Sequence, residues 1–295
     1  GRFNLDNFSS ESRRLEEFLI EAYQFSRNNK SPRTAQREHL IFRHFLGFVG
    51  DVRLNEITPK LLEAYKHHLL HERNYKPSGV NIELRHLSAA FSLAVKYDYL
   101  EKNPFKKVER MRVPKTKPLF FTKEQARQLL DYTRNKAVYP HILIALNTGA
   151  RVGEVCTLRW ERVDLDQRIL RVFGKGAKER TIPIPGSLHR YLLQIRKAKG
   201  LVVKGSHDTA EVSRQFRKAA DALGFHEHTF HTLRHTYASW LVQDGVSLKV
   251  IQELMGHADI QTTMIYAHLA PDSRFEAIAV IDNHLNISGP AAPQS

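Results

Sequence analysis

The 295-residue chain reads as mainly α and two-domained: an amino-terminal four-helix domain, then a mixed helical domain carrying one small antiparallel sheet. Three observations predict this. Apolar residues recur at helical spacing through most of the chain, a basic proline-punctuated stretch interrupts them over 106–118, and Arg168–Ile184 alone alternates as a hairpin should. The length suits two modest cores, and 42% hydrophobic residues is a globular composition.

Taken in order, residues 1–10 are polar and unpatterned, a flexible lead-in. Ser12–Ser26 puts Leu15, Phe18, Leu19 and Tyr23 on one face, and Thr34–Val49 follows with Leu40, Ile41, Phe45 and Phe48. Thr58-Pro59 reads as an N-cap with proline in the first turn, opening a helix to about His71; Ser78–Tyr97 is the fourth, with Leu84, Leu87, Phe91 and Val95. These four helices make a domain over 11–105. Residues 106–118 (KKVERMRVPKTKP) lack periodicity and read as a basic linker, either solvated or touching an anion. Thr122 with Gln125 three residues on is a capping pair that opens the second domain, 119–284. There RILRVF, a GKGAK turn and ERTIPIP form strand, turn and strand. Gly186–Gly224 shows no obvious strand, Pro271–Ile281 can form a terminal helix with apolar Phe275, Ile278, Ala279 and Val280, and 285–295 has the composition of a disordered tail.

A net charge of +14 points to a polyanionic partner, nucleic acid ahead of membrane. The excess is shared, with 22 Lys+Arg against 14 Asp+Glu in residues 1–118 and 23 against 17 thereafter, so a ligand touching both halves fits better than one basic tail. The single Cys156 cannot form an internal disulfide, and no apolar run suits a signal peptide or a membrane span. A cytoplasmic, nucleoid-associated protein with an inert thiol is the expectation.

Six residues of the second domain carry the chemistry: Arg151, Lys175, His231, Arg234, His257 and Tyr266. Arg151 follows a Thr-Gly-Ala break at the start of a helix, where a cation opposes the dipole unless an anion or carboxylate is near; Val152, Val155 and Leu158 form the buried stripe, leaving Arg151 and Glu154 off it and able to pair. Lys175 lies between two glycines at the hairpin tip, with Lys178 and Arg180 after it. It is either a solvated charge that guards the hairpin or a loop lysine whose pKa neighbouring cations lower toward general-acid use. His231 and Arg234 lie three apart on one helix face opposite Leu233, Tyr237, Trp240 and Leu241, and His231 falls near the amino end, where free N–H groups favour phosphate. His226, His228 and His231 lack a carboxylate or cysteine partner at ligand spacing, so no metal and no cofactor is expected. Ser247–Met255, Gly256 and a helix over Thr262–Leu269 carry His257 and Tyr266; helix, glycine turn, helix is also the pattern of a DNA reader in which Tyr266 merely packs.

The segments TGARVGEVCTLRW (148–160), GKGAKERTIPIP (174–185), HTLRHTYASWL (231–241) and LMGHADIQTTMIYAHL (254–269) resemble, in order and spacing, the tyrosine recombinases: phage integrases, Xer-type resolvases and their relatives. The resemblance spans about Phe121 to Leu269. It implies a core DNA-binding domain followed by a catalytic domain, with Arg151 and Arg234 as phosphate-clamping arginines, Lys175 as the hairpin lysine, His231 and His257 as the two histidines and Tyr266 as the nucleophile. It further implies a 3′-phosphotyrosyl intermediate formed without ATP or metal. The implied partners are double-stranded DNA with an inverted-repeat core site, a homo-tetramer passing through a Holliday junction, and a possible accessory or partner recombinase, with no membrane. The terminal helix can pack in trans on a neighbour or on its own domain. Integrase or resolvase activity leads; a type IB topoisomerase-like enzyme and a non-catalytic DNA-binding regulator are the alternatives.

Overall fold

The computed structural model describes residues 13–114, 116–173, 179–203, 208–272 and 278. Chain contacts divide it into two units, 1–115 and 116–295. Lys175, and all of the expected terminal helix except Ile278, lie outside the described residues.

In the first unit α1 (Leu15–Asn29), α2 (Pro32–Val49), α3 (Pro59–His71) and α4 (Pro77–Lys96) supply the four expected helices. Their starts are written locally. Ser31 and Thr58 accept the backbone N–H groups of Thr34 and Leu61 at 3.3 Å, each just before a proline whose missing N–H costs a first turn nothing. The core is aromatic at its centre, with Phe18, Phe45 and Phe91 fully buried and meeting edge to face, and Phe105 closing it from a short turn after α4.

The second unit runs α5 (Lys123–Thr133), α6 (Tyr139–Thr148), α7 (Val152–Cys156), β1 (Val163–Asp164), β2 (Ile169–Phe173), β3 (Glu179–Pro183), α8 (Gly186–Gln194), α9 (Thr209–Ala222), α10 (Phe230–Gln243), α11 (Leu248–Met255) and α12 (Gln261–Met264). The capping pair at α5 forms as expected: Gln125 N–H donates to the Thr122 hydroxyl at 3.1 Å and Thr122 N–H to the Gln125 side chain at 2.9 Å. The sheet is antiparallel in the order β1-β2-β3, with Leu170 opposite Ile182 and Arg171 opposite Thr181. Inward Leu170, Val172 and Ile182 join the core formed around α6, which is apolar on almost every side and packs against α10.

The mainly α, two-domain architecture expected from sequence is the one observed. Three local expectations are corrected. The hairpin gains a third strand, β1, too short to show alternation. The stretch 262–269 is not one helix: α12 stops at Met264, and Tyr266 precedes a single 3₁₀ turn over Ala267–Leu269. Glu154, placed off the buried stripe, is itself buried at 9% exposure, because two arginines satisfy its charge inside.

Candidate active site

The first wall of the site is a glycine break. α6 ends at Gly149 in the left-handed region (φ +63°), and a Cβ there would meet the Tyr237 ring at 2.6 Å, so both turn and close approach demand glycine. The chain then enters α7 through Arg151, whose backbone N–H donates to Glu154 Oε2 at 2.8 Å and whose Nη1 donates to Oε1 at 2.9 Å. From β3, Arg180 forks onto the same carboxylate at 3.0 and 2.7 Å and gives its Nε–H to the Leu254 carbonyl at 2.9 Å. Burial alone would raise the Glu154 carboxyl; the Arg180 and Arg151 hydrogen bonds reverse that and hold it at about 2. The arrangement requires Gly256, left-handed at the end of α11, since a Cβ there would strike Arg180 at 2.7 Å.

α10 carries the second wall. Arg234 is 2% exposed and gives Nη1 to the Gly149 carbonyl and Nη2 to the Met255 carbonyl, both at 2.6 Å, so it ties the ends of α6 and α11 together. Burial, then Arg151 and Arg180, press its guanidinium down to about 9, still a cation at neutral pH. His231 occupies the first turn of α10, solvent-exposed at one edge and crowded at the other; desolvation and then Arg234 and Arg151 lower its pKa. The expected sharing of one face by His231 and Arg234 needs amending. Much of the opposite face is only half-buried (Tyr237, Trp240 and Leu241), while Arg234 points inward beside Leu233.

The third wall follows Gly256. His257 holds Thr263 Oγ1 through Nδ1 at 2.9 Å, and desolvation followed by Arg234, Arg151 and Arg180 lowers it to about 4. Tyr266 is 1% exposed, and its hydroxyl meets His235 Nδ1 at 2.6 Å. Burial pushes the phenol up to about 12 against an opposing pull from Arg234.

Between α7, α9 and the start of α10 opens a cavity of about 540 Å³, lined among others by Arg151, Arg214, Arg217, His231 and Arg234. Among the described residues the cluster holds three guanidiniums, Arg151, Arg180 and Arg234, around the one carboxylate of Glu154, with the neighbouring histidines held neutral at physiological pH. Such a cleft is built for an anion. Five of the six residues singled out from sequence converge here: Arg151, His231 and Arg234 on the cavity, His257 and Tyr266 within electrostatic reach of Arg234. Sequence reasoning missed Arg180 as a ligand of Glu154, Arg214 and Arg217 on α9, and His235. The only available signal for His235 was its place one residue after Arg234 and four after His231.

Among the described residues no group of three or more His, Cys, Asp or Glu is placed to hold a metal ion, and no helix is long and apolar enough to cross a membrane. His228 is buried and stacked on Phe121, 4.2 Å between ring centroids. Cys156 is buried, which raises its thiol pKa.

Residues 120–273 match the phage integrase family and residues 14–111 its SAM-like domain. The chain is 29% identical over 273 residues to the tyrosine recombinase XerC of Halalkalibacterium halodurans, covering 83% of this chain and 89% of that protein. It is 30% identical over 254 residues to the tyrosine recombinase XerA of Thermococcus kodakarensis, covering 80% and 85%. The fold resembles a Tn1549 transposon integrase in complex with a circular intermediate DNA (TM-score 0.71, 20% identity, 92% of this chain and 99% of that one). It also resembles a lambda integrase tetramer bound to a Holliday junction (TM-score 0.72, 20% identity, 88% and 83%).

Proposed function

The chain belongs to the phage integrase family, and we propose that it recombines DNA through a division of labour among the six site residues. It is a tyrosine recombinase, an enzyme that cuts and rejoins DNA strands at specific sites. Tyr266 is the nucleophile. Its oxygen forms a bond to the scissile phosphorus, the phosphorus–5′-oxygen bond breaks, and a 3′-phosphotyrosyl link and a free 5′-hydroxyl result. Arg151 and Arg234 donate to the nonbridging oxygens as charge grows on them, and His257 adds a third donor. Lys175 protonates the departing 5′-oxygen, and His231 positions the phosphate or takes up the tyrosine proton. The phosphotyrosyl link keeps the energy of the broken bond, so a 5′-hydroxyl from a second duplex can attack it and complete the exchange.

The observation that carries this reading is Arg234. A guanidinium that is 2% exposed and, among the described residues, hydrogen-bonded to carbonyls rather than to a carboxylate is expensive to bury, and a phosphate arriving in the adjoining cavity supplies a direct counter-charge. The finer partners, an inverted-repeat core site, a homo-tetramer on synapsed duplexes and an accessory or partner recombinase, belong to the same proposal. The separation of a core DNA-binding domain (11–105) and a catalytic domain (119–284) by a basic linker (106–118) suits a protein that grips one duplex with both.

The test is covalent capture. Nicked duplexes from the source genome, incubated in a metal chelator, yield protein–DNA adducts with the wild type that cluster at one inverted repeat. Tyr266→Phe binds the same DNA and forms none. Adducts with Tyr266→Phe would remove the nucleophile assignment, and adducts scattered without sequence preference would overturn the site-specific reading.

A further inference from the structure

The proposed nucleophile is not held by any of the residues expected to serve it. Tyr266 lies between α12 and a 3₁₀ turn, segments of four and three residues that cannot fix a side chain by backbone regularity alone. What fixes the phenol is burial together with one strong contact, its hydroxyl 2.6 Å from Nδ1 of His235. His235 is well placed to impose that position. It stands in the middle of α10, a 14-residue helix beside the site, directly after Arg234, which is itself locked to two carbonyls. The His231 ring packs edge-on against it at 4.7 Å, limiting its rotation. The phenol is therefore referenced to the same helix that carries Arg234 and His231.

We propose that His235 is a positioning residue for the reaction: its Nδ1 holds the Tyr266 hydroxyl in register with Arg234 and hands it to the scissile phosphate without removing its proton. The cationic surroundings favour this role over that of a base. Desolvation, then His231 and Arg234, oppose a charge on the His235 ring and hold it at about 4, so the neutral imidazole orients the O–H while the proton leaves by another route. The tautomer follows: an Nδ1 that accepts from the phenol requires the ring proton on Nε2.

This inference rests on Tyr266 being the nucleophile, and the experiment separates the two. Adduct formation is followed in single turnover at saturating nicked DNA for the wild type, Tyr266→Phe, His235→Leu and His235→Asn, with DNA affinity measured beside it. Leucine fills space without a polar atom, whereas the asparagine amide places a heteroatom where Nδ1 stands. The expected result is a rate about 10- to 100-fold lower for His235→Leu, unchanged DNA affinity, and recovery of most of the rate in His235→Asn. If the leucine variant fails to fold, His235→Gln, whose amide reaches past Nδ1, replaces it with the same expectation. A His235→Leu that cleaves like the wild type, or an asparagine variant as slow as the leucine one, overturns the positioning role. Adducts from Tyr266→Phe would instead overturn the underlying reading.

Discussion

The two units bury charge in opposite ways. In the first, the buried acids are answered on the spot. Glu38 receives Lys30 at 2.8 Å, His86 at 2.9 Å and the Ser26 hydroxyl, and Glu83 receives Tyr65 at 2.5 Å and His44 at 3.1 Å. In the second, Glu154 is answered twice over by Arg151 and Arg180, while the neighbouring Arg234 pairs with no carboxylate among the described residues and is braced by two carbonyl dipoles. Balanced burial holds a helical bundle in one arrangement. Unbalanced burial stores an electrostatic demand that only a ligand can meet, and it marks the second unit as the one that does chemistry.

The largest expected effect tests the answered acids, Glu154 of the second unit against Glu38 of the first. Glu154→Ala leaves Arg180, whose side chain is 9% exposed, without its partner, and costs the second unit about 3–5 kcal/mol in urea unfolding. Glu38→Ala is the milder counterpart. Lys30 is 32% exposed and turns to water, so the first unit loses about 1–3 kcal/mol. Equal losses would mean that the exposure of the stranded cation does not set the cost.

The next effect tests the unbalanced side. Arg234→Met removes a desolvated cation and keeps much of its volume, so thermal stability stays level or rises. Adduct formation falls about 10²- to 10³-fold, the scale of one lost transition-state donor. A variant that is both inactive and strongly destabilised would make Arg234 a structural brace first and a phosphate ligand second.

The fold was legible where local chemistry decides it. Ser31-Pro32, Thr58-Pro59 and Thr122 with Gln125 announce helix starts because the capping partners are neighbours in sequence. β1 escaped because two residues cannot display a period, and the break after Met264 escaped because apolar spacing continues through it. At the site, Arg151, His231, Arg234, His257 and Tyr266 stood out through motif spacing. Arg180 and His235 did not, since what makes them matter is a partner far along the chain: Glu154 is 26 residues from Arg180, and Tyr266 is 31 from His235. Arg214 and Arg217 did not, since only the fold brings α9 to the cavity. Side-chain type at short range is written in the sequence; which buried charge lacks a partner is decided by tertiary packing.

The smallest expected effect is a proton count. His257 and His235 sit at about 4 against an ordinary histidine value of 6.5, so the unfolded chain takes up their protons first. Stability from this source is present above about 6.5 and is lost as pH falls through about 4. For Glu154, depressed from 4.5 to about 2, the loss comes as pH falls from 4.5 through about 2. A bound phosphodiester reverses the sign for His257, because an anion beside it favours the imidazolium. DNA binding should then take up protons between about pH 4 and 6.5, and affinity should tighten as pH drops from 7 toward 5 while the free second unit weakens. Calorimetric titration at pH 5.5 in buffers of differing ionisation enthalpy reads the uptake directly, and His257→Gln should reduce it. Binding without proton uptake, or an uptake that persists unchanged in His257→Gln, would place the histidine response outside the phosphate site.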